Sequence, residues 1–424
     1  MNRRILLLAL LIPALVLCKK PVSNEEENNN EQEQEQEQQN TTPSTPSYHE
    51  PIFNRYSGDP ADEVLAELPP QINDGDIVQV TREFVEKFLT EVNYPDHDCS
   101  YTKVLEYDGG FNDPDASEYK VTNADKPALY TIRWTADASA GDLALTLKDG
   151  SWSQTIAVEA GKDNQIITNL RPNASYTYEV KASTGKIMTS GSFTTTGSLH
   201  QCFFEWNVRN CRDLGGWKTY DGKTVKYRMI YRGGRLEGST MSKKGREDVL
   251  AEGIKAQLEL RGKSDMLIWC ALGEKYAFCN PCIENGGTSM LANKEKTKQC
   301  FEFVVQCMRE NKPVYFHCSL GRDRTGTLAA ILLGVLGVPE GDVSQEYELT
   351  YFAPQGWSIA YSEKSKVFKN VRTSEYKDVA DYLWRRGKNS DGSYERFDKC
   401  VENYLIEAGV SQKDIDDFRA LMLE

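Results

Sequence analysis

Histidine is scarce in this chain, with four among 424 residues. That argues against a histidine-rich metal centre, and the cysteines supply no substitute. Cys279-Asn-Pro-Cys282 is a lone CxxC with no second pair at matching spacing, so no metal and no cofactor are expected. Positive charge is also in deficit. Lys and Arg total 50 against 63 Asp and Glu, a formal net charge of −13, which argues against a nucleic-acid partner held by counterion release. The tract EEENNNEQEQEQEQQ holds seven Glu between Glu25 and Glu37 and no Lys or Arg. It cannot bury apolar surface and is expected to be a disordered, solvated tether rather than a binding element.

The N-terminal apolar run, ILLLALLIPALVL (5–17), is too short for a comfortable membrane span. It follows Arg3 and Arg4 and ends at Cys18, an order that resembles a bacterial lipoprotein signal. The resemblance implies a lipid on Cys18 and a membrane-anchored protein of the cell envelope. Leu17 departs from it, because the residue before the cysteine is usually small. Ordinary secretion and an uncleaved anchor are the alternatives, and each leaves the protein outside the cytoplasm. Of eleven cysteines, nine remain once Cys18 and one candidate nucleophile are set aside, so at least one thiol is unpaired. An envelope compartment permits disulfides, and Cys279 with Cys282 is the closest pair. Cys300 and Cys307 lie seven apart on a helix-like stretch, as buried small apolar residues would.

Five regions follow from composition and periodicity: a signal over 1–18, a tether over 19–60, a short helical segment within 61–115, a β-sandwich over 116–198 and an α/β domain over 199–424. In the third, Phe84, Val85, Phe88, Leu89 and Val92 have helical spacing after Thr81, a candidate N-cap. DGGFNDPD (108–115) is turn chemistry. The fourth holds short alternating runs, among them LYTIRWTA, DLALTLKD and SYTYEVKAS, separated by Gly, Asp and Asn. LRPNASYTYEV (170–180) resembles the corner of fibronectin type III domains, in which a tyrosine hydroxyl ties back to the chain, with Trp134 matching the core tryptophan. The stretch is short for such a sandwich, so a strand is either missing or supplied from outside.

In the fifth region, KAQLEL (255–260) and PVYFH (313–317) read as strands. Residues 297–310 and 325–336 read as helices, and further helices follow from Tyr376, the last capped by Ser411. The chemistry is concentrated in HCSLGRDRTGT (317–327), between a β run and LAAILLGVLG, which is apolar nearly all round as a buried helix should be. A loop entering a helix N-terminus turns several backbone N–H groups inward and forms an anion nest, and the helix dipole adds to its positive potential. Cys318 at the start of such a nest is stabilised as a thiolate. Ser319, Leu320, Gly321 and Arg322 would supply the nest, and Arg324 can return over it to fork two hydrogen bonds onto an oxyanion. Thr325 offers a hydroxyl to the sulfur. The cradle suits a tetrahedral dianion with a sulfur nucleophile behind phosphorus.

His317-Cys318-x5-Arg324-Thr325 resembles the signature loop of the cysteine-based protein tyrosine phosphatase superfamily. HCxxGxDRTG is more specific and is similar to bacterial tyrosine/serine phosphatases, some of which also act on phosphoinositides. NCRDLGG (210–216), YRGGRL (231–236), Leu260-Arg261 and the closing GVSQKDIDDFRALML extend the resemblance over about 225 residues. It implies the α/β fold of those phosphatases, a phosphocysteine intermediate, and phosphotyrosine or phosphoserine/threonine substrates on proteins, with phosphoinositides or inositol phosphates as the alternative. Glu259 stands where Asp is usual, Arg322 where Lys is usual, and Leu320 where Ala is usual.

A phosphatase must also protonate its leaving group. No aspartate occurs between Asp265 and Asp323, so an acid about thirty residues before the cysteine is absent unless Glu284 or Glu295 substitutes. Asp323, inside the loop, is the leading candidate, and relatives with this loop are thought to use that position. Asp265 or a glutamate is the alternative; the bland reading of Asp323 is a salt bridge pinning an arginine. His317 is expected to orient the loop. A cysteine protease would need a distant histidine, and His200 is the only other one in this region. Arg212 with Asp213 reads as a structural ion pair, and Arg232, Arg235 and Arg261 as structural. A surface adhesion lipoprotein with a vestigial catalytic domain is the reading from another class, disfavoured by the intact Cys318, Asp323, Arg324 and Thr325. A reversible disulfide from Cys318 to Cys270 or Cys282 is a further possibility in an oxidising compartment.

Overall fold

The computed structural model describes residues 67–91, 94–97, 105–107, 126–204, 208, 210–236, 243–262, 270–352, 366–368 and 374–424. The signal with Cys18, the tether, the turn at 108–115 and Asp265 lie outside them. No helix among the described residues is long and apolar enough to cross a membrane.

The first half is rich in sheet. Strand β1 (Asp76–Gln79) precedes helix α1 (Glu83–Glu91) and β2 (Leu105–Tyr107). Then come β3 (Tyr130–Arg133), β4 (Leu143–Asp149), β5 (Trp152–Val158), β6 (Asn164–Ile167), β7 (Ser175–Ala182) and β8 (Ile187–Thr196). One sheet has the order β1-β8-β7-β4-β5, and β3 pairs with β6 in a second. Alternation places every second side chain inward: Tyr176, Tyr178, Val180 and Ala182 of β7 are buried with Ile132 and Trp134 in one core. The Tyr176 hydroxyl accepts a hydrogen bond from the Arg171 backbone N–H at 3.0 Å, closing the corner that the sequence suggested.

Two expectations need correction here. Strand β1 comes from the stretch expected to hold only a helix, and it pairs in parallel with β8. The sheet-rich region therefore takes in a strand from before residue 116. Thr81 does not cap α1, which begins at Glu83. Its hydroxyl instead accepts from the Ser198 and Leu199 N–H groups at 3.1 and 3.0 Å, bolting the start of α1 to the link after β8.

The second half is an α/β layer structure. In order it comprises β9 (Arg212–Asp213), β10 (Ile230–Gly233), α2 (Lys243–Ala251), β11 (Ala256–Glu259), β12 (Ala277–Cys279), α3 (Gly287–Ala292), α4 (Lys294–Arg309) and β13 (Val314–His317). Helices α5 (Asp323–Leu336) and α6 (Glu340–Glu348) follow, then β14 (Lys366–Phe368), which pairs with β2, and α7 (Ser374–Trp384), α8 (Phe397–Glu407) and α9 (Gln412–Met422). The sheet order is β12-β11-β13-β10-β9, parallel except for β9. Central β13 is buried at all four positions, as a parallel strand covered on both faces must be.

Helix α5 is buried from Thr325 to Leu336 and ends at Gly337 in the left-handed region, where glycine carries no Cβ penalty. It starts two residues before the expected Thr325. Helix α4 starts three residues before its expectation, because Asn293 caps a polar first turn that apolar spacing cannot reveal. Ser411 caps α9 as expected, accepting from the Asp414 N–H at 3.1 Å.

Polar contacts join the sandwich to the α/β layer. The Arg228 guanidinium stacks 3.7 Å from the Trp152 ring centroid and donates to the Tyr176 hydroxyl at 2.8 Å. Buried His200 faces Asp213 Oδ2 at 3.0 Å and the Asn169 carbonyl at 2.9 Å. Both partners are acceptors, so both ring nitrogens carry protons. Burial opposes that charge, but the Cys202 and Asp213 side chains hold the imidazolium pKa up at about 10.

Candidate active site

The site is built on the turn between β13 and α5. His317 ends the strand and Asp323 begins the helix, so residues 318–322 must reverse direction. Gly321 makes this possible: its φ is +72°, and a Cβ there would lie 2.5 Å from the carbonyl carbon and oxygen of Gly233 on β10. The loop is thereby pressed against the neighbouring strand, with the Arg235 N–H donating to the Ser319 carbonyl at 3.3 Å.

Buried charge braces this turn from behind. The Gly321 carbonyl accepts from Arg232 Nη2 and from Asn210 Nδ2, the latter at 2.9 Å. Arg232 in turn donates to both Glu346 oxygens at 2.8 and 3.0 Å, and Arg212 Nε donates to Glu346 Oε1 at 2.7 Å. One carboxylate on α6 therefore serves two guanidiniums. Burial and the adjacent Arg232 charge push Arg212 down to about 10 despite Glu346. Arg212 and Asp213 are not paired with each other as the sequence suggested. Successive residues of a strand point to opposite faces, so Arg212 reaches Glu346 while Asp213 reaches His200 and the Gly215 N–H at 2.8 Å.

His317 is fully buried. Its Nδ1 lies 3.3 Å from the Cys318 carbonyl and its Nε2 3.0 Å from Gln257 Nε2. The Gln257 oxygen is occupied by the Ala271 N–H at 2.7 Å, so the amide nitrogen faces the ring, and Glu259 Oε2 lies 3.6 Å from the same Nε2. Glu259 accepts from the Arg261 side chain at 3.0 and 2.6 Å and from its backbone N–H at 2.8 Å. Its extra methylene relative to Asp lets it chelate an arginine two residues on. Arg232 and Arg261 are thus structural.

Cys318 is 3% exposed, among the core residues beneath the loop. The Thr325 hydroxyl is buried and lacks a hydrogen-bond partner among the described residues. Above the helix start lies a cleft of 410 Å³ whose walls include Arg322, Asp323 and Arg324 together with Glu284, Tyr347 and Asp378. Leu320 is part-exposed and does not line it. Asp323 is paired with Arg322 at 3.0 Å and remains 43% exposed, so its carboxylate is both pinned and accessible to a ligand. Arg324 does not lie over the nest: its Nη1 donates to the Ile283 and Glu284 carbonyls at 3.0 and 3.4 Å. The 283–287 turn is clasped to α5, where a Cβ on Gly286 would meet the Arg324 nitrogen at 2.7 Å, and the Gly287 N–H donates to Thr327 at 2.9 Å.

Of the other acids weighed, Glu284 lines the cleft, whereas Glu295 sits in the first turn of α4 away from it. All nine described cysteines are free thiols, so Cys318 is bonded to neither Cys270 nor Cys282, and Cys279 is not bonded to Cys282. Cys300 and Cys307 are buried as expected. Among the described residues, no group of three or more His, Cys, Asp or Glu is arranged to hold a metal ion. Sequence reading missed Glu346, Gln257 and Asp378. The first two are polar residues buried by tertiary packing, and the third sits on a helix about fifty residues beyond the loop.

The sequence model of the tyrosine phosphatase family matches residues 206–281 and 282–424, just over half of the chain and the whole of this site. The chain belongs to the tyrosine phosphatase family. As a family member it is 23% identical over 172 residues to a Cupriavidus necator protein whose name assigns it provisionally to the tyrosine-protein phosphatases; that match covers 35% of this chain. It is 36% identical over 53 residues to a tyrosine-protein phosphatase of Nostoc commune, covering 12% of this chain. The matches span 62% of the Cupriavidus protein and 17% of the Nostoc protein.

Proposed function

We propose that this tyrosine phosphatase family member hydrolyses phosphomonoesters, phosphotyrosine on proteins first among them, through a phosphocysteine intermediate. The observation that carries the proposal is the turn from β13 to α5, which sets Cys318 and Arg324 at the N-terminus of a buried helix. That end of a helix offers unpaired N–H groups to an anion. Cys318 Sγ attacks phosphorus and the bond to the leaving oxygen breaks, with Asp323 donating the proton. Arg324 exchanges its two carbonyl partners for phosphoryl oxygens. A water then attacks phosphorus, giving its proton to Asp323 and returning the thiolate as phosphate departs. The Thr325 hydroxyl, buried and otherwise unpartnered, is available to the sulfur.

The test is hydrolysis of p-nitrophenyl phosphate in the presence of a chelator. Wild-type protein should turn it over, and Cys318→Ser should lose activity by on the order of 10³-fold or more, since the nucleophile is removed. No turnover by wild type, or full turnover by the serine variant, would sink the proposal. Asp323→Asn should reduce kcat by roughly 10²-fold on a poor leaving group such as phenyl phosphate and much less on a good one. Equal losses on both would remove the acid assignment.

A further inference from the structure

Asp378 has no role in the chemistry just described, yet it lines the cleft at the start of α5 together with Asp323 and Arg324, whereas Cys318, Ser319, Leu320 and Gly321 do not line it. It comes from α7, separated in sequence from every other acidic group there. Its side chain is exposed, and no hydrogen bond or ion pair occupies it among the described residues, whereas its neighbour Lys377 is committed to Asp381. The other charges of the cleft are already spoken for: Arg322 by Asp323, and Arg324 by the Ile283 and Glu284 carbonyls. A phosphoryl group entering the nest draws on Arg324 and the loop amides. It leaves Asp378 as an unpaired carboxylate beside whatever flanks the phosphorylated residue.

We infer that Asp378 is a specificity-determining residue, and that the preferred substrate is a phosphotyrosyl segment with a Lys or Arg beside the phosphotyrosine. This rests on the phosphatase reading and narrows its substrate class. A single dianion flanked by a cation matches a cleft that sets Arg324 at the helix start and the exposed carboxylate of Asp378 in the same walls. A polyphosphorylated inositol headgroup matches it less well, because an additional phosphate beside Asp378 would meet a carboxylate, and like charges at contact distance repel.

The experiment compares kcat/KM on three synthetic phosphotyrosyl peptides, identical except for Lys, Gln or Glu beside the phosphotyrosine, together with p-nitrophenyl phosphate and a short-chain dispersed phosphoinositide. Wild type should favour the Lys peptide over the Glu peptide by roughly fivefold to tenfold in dilute buffer, and the ratio should shrink in 0.5 M salt as the Debye length contracts. In Asp378→Asn the ratio should approach one, and in Asp378→Lys it should invert. Each ratio is taken within one variant, so partial loss of folded protein does not change it. Hydrolysis of p-nitrophenyl phosphate with equal rates on the three peptides overturns this inference alone. So does a phosphoinositide turned over faster than every peptide, or a Lys preference that survives in Asp378→Asn. Failure of wild type to hydrolyse any phosphomonoester overturns the phosphatase reading and this inference with it.

Discussion

Glu346→Ala is expected to destabilise the α/β layer by about 3–5 kcal/mol, the range for removing one partner of a buried ion pair. Its two cations, Arg212 and Arg232, are 3% and 0% exposed, and both donate to this one carboxylate. Without it, two guanidiniums are left buried together with no carboxylate between them. The positions are held by different elements, β9, β10 and α6, so the damage cannot be relieved by rotating one side chain. Thermal unfolding should fall by on the order of 10 °C for a domain of this size. Activity should fall beyond the loss of folded protein, because Arg232 also holds the Gly321 carbonyl. Glu346→Gln keeps two hydrogen-bonding atoms but no charge, and should lie between the two. Equal stability of wild type and Glu346→Ala in urea unfolding would show that the network contributes nothing.

Gly321→Ala is expected to remove most phosphatase activity while leaving much of the fold intact. Two effects add at this position. A left-handed backbone costs a non-glycine residue about 1–2 kcal/mol, and the new methyl would lie 2.5 Å from the Gly233 carbonyl group and 2.8 Å from the Gly234 nitrogen. Backbone cannot swing aside as a side chain can, so the loop itself must lift from β10, carrying Cys318 with it. Misplacement on the ångström scale is worth roughly 10²-fold in rate. Gly222 supplies the control, since its φ is +78° but nothing lies within 4 Å of its added Cβ. Gly222→Ala should cost about 1–2 kcal/mol of stability and leave kcat on p-nitrophenyl phosphate unchanged. Matching kcat values for the two variants would refute the packing argument for Gly321.

Much of this molecule is legible in its sequence. The run VYFH followed by a glycine-containing turn and an apolar helix specifies strand, turn and buried helix by local pattern alone. Cys318, Gly321, Arg324 and Thr325 lie within one loop and the first turn of the helix after it, and local geometry is what short motifs encode. The corner at Tyr176 was visible for the same reason, since its hydroxyl and the Arg171 N–H are five residues apart. Helix starts were read less well where the first turn is polar, as at Lys294 and Asp323, because apolar spacing reports the buried face and not the cap.

The remainder belongs to tertiary structure. Nothing in EGDVSQEYE announces that Glu346 is buried between two arginines more than a hundred positions earlier in the chain. Gln257 meeting the His317 ring, and Arg324 resting on the carbonyls of a turn forty residues upstream, likewise depend on neighbouring strands rather than on neighbouring sequence. The same holds for β1 completing the sandwich sheet across more than a hundred residues. Local sequence by itself determined which residues stand at the turn from β13 to α5. Packing between distant elements decided how the loop is braced, where Arg324 rests and which carboxylates share its cleft, because buried charge takes its partner from whatever the fold brings within 3 Å.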